Sequence, residues 1–160
     1  MISLHDYLRA RHGGAYRALL RSLNGLTEQQ ALEGASPHWK RYRLGTGLDG
    51  SIAGIVWHVA AWKAVAADGL DTGLFPDAEA VLPAESTWAG LLSWLELSHS
   101  RLTRYLDEAP PEALSHTVTV EGEAMRVYEL FGHWIEHDQY HAGQVNLLRQ
   151  QRGHTFPGEE

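Results

Sequence analysis

The 160-residue sequence contains no cysteine. This absence excludes disulfide bonds, thiolate metal ligands and a cysteine nucleophile. Any thiol chemistry would therefore need a sulfur atom that another molecule supplies. The sequence also has no apolar run of the length that a membrane-spanning helix requires, and His5, Asp6 and Arg9 interrupt its N-terminal region. We therefore expect a cytoplasmic protein with no membrane partner.

The sequence has few positively charged residues. It contains 13 lysines and arginines and 20 aspartates and glutamates, which gives a net charge of -7. A protein with this balance repels a phosphate backbone unless a local basic patch overcomes the overall field. The cluster of Lys40, Arg41 and Arg43 is too short to form such a patch. We expect a small-molecule substrate and no nucleic-acid partner.

Length and composition indicate one globular domain that spans residues 1–160. The sequence is 44% hydrophobic and 21% charged, which is ordinary for a folded protein and too apolar for a disordered one. A chain of this size can bury a core without disulfides. No internal repeat divides it.

Apolar residues recur at spacings of three and four in four long segments, which predicts four amphipathic helices. The first begins near Leu4 and ends near Asn24-Gly25, and the second spans about 51–68 with a stop at Asp68-Gly69. The third follows Trp88 and stops at Pro110-Pro111, and the last runs from Val127 toward Gly153. The sequence therefore predicts an all-α four-helix bundle.

The connections between the long helices carry their own signals. Thr27 and Gln30 form a capping-box pattern for a short helix, and Pro37, Gly45 and Gly47 indicate a loop after it. Residues 117–120 and 124–127 flank Glu121-Gly122-Glu123, which is compatible with a small hairpin before the last helix.

Histidines occupy core positions in two of the predicted helices. In the last helix, His137 and His141 continue the apolar series that includes Trp134 and Val145. Positions four apart differ by about 40° around a helix, so both imidazoles can reach one cation. His58 takes an equivalent inward position in the second helix. We expect these three histidines to bind a divalent metal, because bundle cores commonly house such sites.

The alternative for each histidine is a neutral core residue that hydrogen-bonds to its neighbours. A single inward histidine favours that alternative, whereas a pair spaced by four favours a metal, since a buried imidazole without a partner is costly. Neutral imidazole suits zinc, nickel, copper and iron, and three protein ligands leave a position for water or substrate.

Other residues near these positions have less support as ligands. His133 lies at the edge of the core face, as expected for a pocket rim. His12 and His99 face inward and are candidates for a fourth ligand or an outer partner, although a satisfied core histidine is the expected role for each. Asp138 follows His137, but the spacing does not assign it as a catalytic base, and no catalytic or cofactor-binding residue is assigned.

The segment from His133 to Gln144, HWIEHDQYHAGQ, resembles the terminal-helix motif of the DinB/YfiT-like metalloenzymes. The segment from Ser51 to His58, SIAGIVWH, resembles the motif that carries the first histidine of that family. The resemblance extends over essentially the whole chain. It implies a four-helix bundle, often a homodimer, with His58, His137 and His141 as ligands of zinc or nickel.

Members of this family transfer low-molecular-weight thiols such as bacillithiol or mycothiol, or isomerise maleylpyruvate with such a thiol. The resemblance therefore implies a metal-dependent S-transferase that joins a small thiol co-substrate to a small electrophile. Two alternatives stay open. One is a metal-dependent hydrolase that uses a metal-bound hydroxide. The other is a non-enzymatic, stress-related protein whose metal only stabilises the bundle.

Overall fold

A computed structural model of the protein describes residues 2–35, 50–77, 81 and 87–158. Several sequence features lie outside these residues. They are the predicted loop with Pro37, Gly45 and Gly47, and the basic cluster Lys40, Arg41 and Arg43.

The described residues form four long helices, one short helix and a hairpin. The elements are α1 (Leu4–Leu23), α2 (Glu28–Leu32), α3 (Ile52–Thr72), α4 (Trp88–Glu108), a 3₁₀ turn (Pro111–Ser115), β1 (Thr117–Val120), β2 (Glu123–Arg126) and α5 (Val127–Gln151). This architecture confirms the predicted all-α bundle with a small hairpin before the last helix.

Short polar side chains start most of these helices. The side-chain oxygens of Ser3, Ser51 and Thr87 each accept a hydrogen bond from the backbone N–H three residues later. Each bond satisfies an amide that has no partner inside its helix. The capping box predicted for α2 is present, because Thr27 and Gln30 exchange side-chain and backbone hydrogen bonds.

The predicted end of α3 at Asp68-Gly69 is wrong. The helix continues to Thr72, and Gly73 caps it in the left-handed conformation, with φ 77°. Gly69 serves packing instead, since a Cβ at this position would lie 2.3 Å from a ring carbon of Phe75. A glycine inside an apolar helix can thus indicate a close contact as well as a helix end.

The core lies where the four long helices meet, with α1 packed mainly on α5 and α3 mainly on α4. Helix α3 is buried around most of its circumference, which explains its many small apolar residues. Among the described residues, no helix is both long enough and apolar enough to serve as a membrane span.

The hairpin leads directly into α5. Strands β1 and β2 pair antiparallel with Thr117 opposite Arg126, and Glu121 and Gly122 turn the chain with φ values of 51° and 85°. The backbone N–H of Val127 donates to the carbonyl of His116, which links the start of α5 to the hairpin.

Helix α5, which carries two of the candidate ligands, is anchored at its C-terminal end by Arg149. This side chain is buried, and its Nη1 donates to the carbonyls of Ser22 and Asn24 at 2.9 and 2.7 Å. Its guanidinium carbon lies 4.0 Å from the ring centre of Phe156. The contacts tie α5 to the end of α1 and to the C-terminal segment.

Candidate metal centre

The structure brings the side chains of His58, His137 and His141 together between α3 and α5. Each histidine offers one ring nitrogen, and these three atoms all lie within 4.8 Å of one another. His137 and His141 are one turn apart on α5, and His58 faces them from α3. Among the described residues, this is the group of histidine and carboxylate side chains whose geometry could hold a metal ion.

The Nε2 atoms are the ones that converge. Nε2 of His137 lies 3.0 Å from Nε2 of His58 and 3.1 Å from Nε2 of His141. A tetrahedral zinc ion with bonds of about 2.0 Å would hold its nitrogen ligands roughly 3.3 Å apart. Both measured distances are close to that value, so the donor set and its spacing suit a divalent metal.

The three imidazoles are held neutral, which is the state that metal binding requires. Burial lowers the pKa of His58 to about 4, with a further contribution from His141. Burial also lowers the pKa of His137 to about 2, helped by the nearby imidazoles of His141 and His58. The pKa of His141 is lowered by burial and partly restored by a hydrogen bond to Gln144. A metal would therefore displace few protons at neutral pH.

An outer hydrogen-bond chain continues from His141 toward the surface. Nδ1 of His141 donates to Oε1 of Gln144 at 2.7 Å, and Nε2 of Gln144 donates to the hydroxyl oxygen of Tyr140 at 2.9 Å. Neither Gln144 nor Tyr140 was predicted from the sequence to take part in the site. Their spacing in the sequence could have indicated these contacts, since residues three and four positions apart are neighbours on the surface of a helix.

Aromatic side chains lie on one side of His137. The indole of Trp134 is buried and meets the ring of His137 edge to face, with 5.5 Å between the ring centres. The ring centre of Trp62 on α3 lies 6.3 Å from the ring centre of Trp134. These rings keep water away from one side of the site, and they contribute to the burial that keeps His137 neutral.

The carboxylate of Asp138 binds a neighbouring helix. Its Oδ2 accepts a hydrogen bond from Nζ of Lys63 on α3 at 2.9 Å, and both side chains are 0% exposed. Burial lowers the pKa of Lys63 and raises that of Asp138, while the attraction between the two opposes both shifts. The geometry gives Asp138 a role in joining α3 to α5.

Lys63 is a residue that the sequence analysis missed. Its position in the sequence indicates a buried side chain. Lys63 comes four residues after Val59 and three before Ala66 in the core series of α3, and both of those residues are buried. A lysine on such a stripe needs a buried partner, because an unpaired buried charge is very costly. Asp138, an acidic residue on a core helix, was the available partner.

His133 lies beside the group but outside it. It is exposed, and its ring centre is 5.7 Å from that of His137. This position matches the predicted rim of the site.

His12 and His99 are buried, as predicted, but they lie in a separate stack. The ring of His99 is 3.6 Å from the ring of Tyr16 and 4.3 Å from that of His12. Neither histidine belongs to the group that could hold a metal. We expected each to be a core histidine with hydrogen-bonded ring nitrogens. This expectation holds only in part, because Nε2 of His12 and Nδ1 of His99 have no hydrogen-bond partner within the described structure.

Comparison with known proteins agrees with this fold. No curated protein matches the sequence. The family model of the DinB superfamily matches residues 11–145, a segment that includes all three converging histidines and the four long helices for most of their length. The chain therefore belongs to the DinB superfamily.

Proposed function

We propose that this protein is a divalent-metal-dependent enzyme that transfers a low-molecular-weight thiol to a small electrophile. The observation that carries the proposal is the convergence of three neutral imidazoles, each through Nε2, from α3 and α5. Membership of the DinB superfamily supports a metal-dependent reaction in general terms. The thiol and the electrophile are part of the proposal.

His58, His137 and His141 would hold the ion, and the family resemblance favours zinc or nickel among the metals that suit imidazole ligands. The bound ion would act as a Lewis acid that lowers the pKa of a thiol coordinated to it. Three protein ligands leave a coordination position for that thiol. The protein itself contains no cysteine, so the sulfur would come entirely from the co-substrate.

The chain's own residues would prepare the site for this chemistry. Burial keeps the three imidazoles unprotonated, so their lone pairs are available at neutral pH. Trp134 excludes water from one side of His137, which strengthens electrostatic interactions at the site. The buried Lys63–Asp138 pair joins the two helices that carry the ligands and so supports their spacing.

The proposal is tested by assays of the zinc-loaded and nickel-loaded protein with a thiol and an electrophile. Bacillithiol, mycothiol and glutathione would each be paired with a chlorinated aromatic or an epoxide, and hydrolysable esters would be assayed separately. We expect thioether formation that requires both the thiol and the metal, and that is lost in His58→Ala. Ester hydrolysis without thiol would instead favour a hydrolase. No turnover in a metal-loaded protein would favour a structural metal.

The family resemblance also leads us to propose a homodimer. The hydropathy and the net charge of the sequence lead us to propose a cytoplasmic location with neither membrane nor nucleic-acid partners. Sedimentation equilibrium across a range of concentrations tests the dimer. A single species of 17.8 kDa at all concentrations would contradict it.

A further inference from the structure

The hydrogen-bond partner of a ligand's second ring nitrogen decides which nitrogen of that imidazole can bind a metal. A neutral imidazole carries its proton on one nitrogen and a lone pair on the other. In this site Nε2 of His137 lies close to Nε2 of both His58 and His141. Metal binding through Nε2 therefore requires the proton of each ring to sit on Nδ1.

His141 is the ligand candidate for which a side chain enforces this arrangement. Its Nδ1 lies 2.7 Å from Oε1 of Gln144. An amide oxygen can only accept a hydrogen bond, so Nδ1 must carry the proton. In contrast, Nδ1 of His137 is buried and has no partner within the described residues.

The amide of Gln144 also hydrogen-bonds to a second side chain of α5. Its Nε2 donates to the hydroxyl oxygen of Tyr140 at 2.9 Å, which leaves Oε1 to face His141. Gln144 follows His141 by three residues and Tyr140 by four, so one turn of α5 brings it beside both side chains. The buried residues Ala142 and Val145 hold that turn against the core.

We propose that Gln144 is a positioning residue that keeps the proton of His141 on Nδ1 and its lone pair on Nε2, and that Tyr140 supports this arrangement by accepting a hydrogen bond from the Gln144 amide. The inference extends the proposed function, because the ion that benefits is the metal proposed there. Hydrogen bonds of this kind fix the ring orientation of a ligand and increase its basicity.

The solvent exposure of Gln144 and Tyr140 indicates which of the two side chains contributes more to the site. The side chain of Gln144 is half-buried, whereas Tyr140 is 63% exposed. Water can replace the contribution of an exposed hydroxyl more readily than that of a half-buried amide. Loss of Gln144 should therefore weaken the site more than loss of the Tyr140 hydroxyl.

The test compares Gln144→Met, Gln144→Glu and Tyr140→Phe with the matched control Gln150→Met, which removes an exposed glutamine from the same helix. Two quantities are measured. One is the dissociation constant for zinc, by competition with a chromophoric chelator. The other is the protonation of the His141 ring nitrogens in the metal-free protein, from the ¹⁵N chemical shifts of the imidazole.

We expect Gln144→Met to weaken zinc binding by about 10- to 100-fold, the usual loss for an outer partner. Gln144→Glu should restore the wild-type affinity, because a carboxylate also accepts from Nδ1–H. Tyr140→Phe should weaken zinc binding by less than about tenfold, since one neutral hydrogen bond is lost. Gln150→Met should bind zinc like the wild type. The metal-free wild type should carry its His141 proton on Nδ1, and Gln144→Met should populate the other tautomer.

A wild-type His141 with its proton on Nε2 would overturn the inference. So would a Gln144→Met variant with the wild-type tautomer and zinc affinity. If the wild type binds no metal while its His141 tautomer depends on Gln144, the proposed function fails and the positioning role of Gln144 stands. If the wild type binds zinc and Gln144→Met changes neither quantity, the positioning role fails alone.

Discussion

Nζ of Lys63 lies 2.9 Å from Oδ2 of Asp138, and both side chains are shielded completely from solvent. This buried ion pair joins α3 to α5, the two helices that supply the candidate metal ligands. A pair of this kind adds little net stability compared with two well-packed apolar residues, but removal of one partner leaves an uncompensated charge in the core.

Lys63→Met should therefore lower the free energy of unfolding by about 3 to 5 kcal/mol, since it strands the carboxylate of Asp138. The double variant Lys63→Met, Asp138→Leu should recover most of that loss. Urea unfolding of the metal-free protein gives both values. The matched control is Arg9→Met, which breaks an exposed pair with Asp107 and should cost under about 1 kcal/mol. A double variant as unstable as Lys63→Met would contradict this account.

The buried stack of His12 and His99 should make the metal-free protein less stable in mild acid. Burial and the positive charge of Lys63 lower the pKa of His12 to about 3, and burial, Lys63 and His12 lower that of His99 to about 2. In the unfolded chain both histidines titrate near pH 6.5. The unfolded state therefore binds more protons as the pH falls below 6.5, and stability is lost between that pH and the lower folded values.

His99→Phe preserves a ring in the stack and removes one of the two imidazoles that take up a proton when the chain unfolds in acid. Between about pH 6 and pH 3, the slope of unfolding free energy against pH should decrease by up to about 1.4 kcal/mol per pH unit. Chemical unfolding at several pH values measures the slope. His116→Phe, at an exposed position, tests whether the change requires a buried ring. An unchanged slope in His99→Phe would show that His99 is charged in the folded protein.

Gly69→Ala should destabilise the protein although alanine is the better helix former. The added Cβ would lie 2.3 to 2.5 Å from three ring carbons of Phe75, so the ring must move. In a Phe75→Ala background the same change should stabilise by up to about 1 kcal/mol, because only helix propensity remains. Gly143→Ala, which meets no atom within 4 Å, should stabilise by a similar amount. Thermal unfolding of the four variants completes the cycle, and equal effects of Gly69→Ala in both backgrounds would exclude the contact.

Much of the fold was predictable from local patterns. The apolar spacing predicted four long helices, and the capping box at Thr27 and the hairpin around Gly122 are local signals that the structure confirms. The end of α3 was not predictable in this way. Gly69 looks like a helix stop in the sequence, and only the position of Phe75 after the following turn explains it.

The candidate site shows the same division. The spacing of His137 and His141 indicates that they share a face, because both lie on one helix. His58 belongs to another helix, so its approach to them depends on how α3 packs against α5. The pairing of Lys63 with Asp138 and the separate stack of His12 and His99 are also contacts between helices. Sequence periodicity gives the face of each residue but not its partner across the core.

The central claim is that His58, His137 and His141 bind one divalent metal ion, and metal stoichiometry tests it most directly. The protein would be purified without an affinity tag and analysed for metal content, then dialysed against a chelator and titrated with zinc. We predict one tightly bound ion per chain, and none in the folded double variant His137→Ala, His141→Ala. A wild-type protein that binds no ion, or a double variant that binds zinc as tightly as the wild type, would contradict the claim.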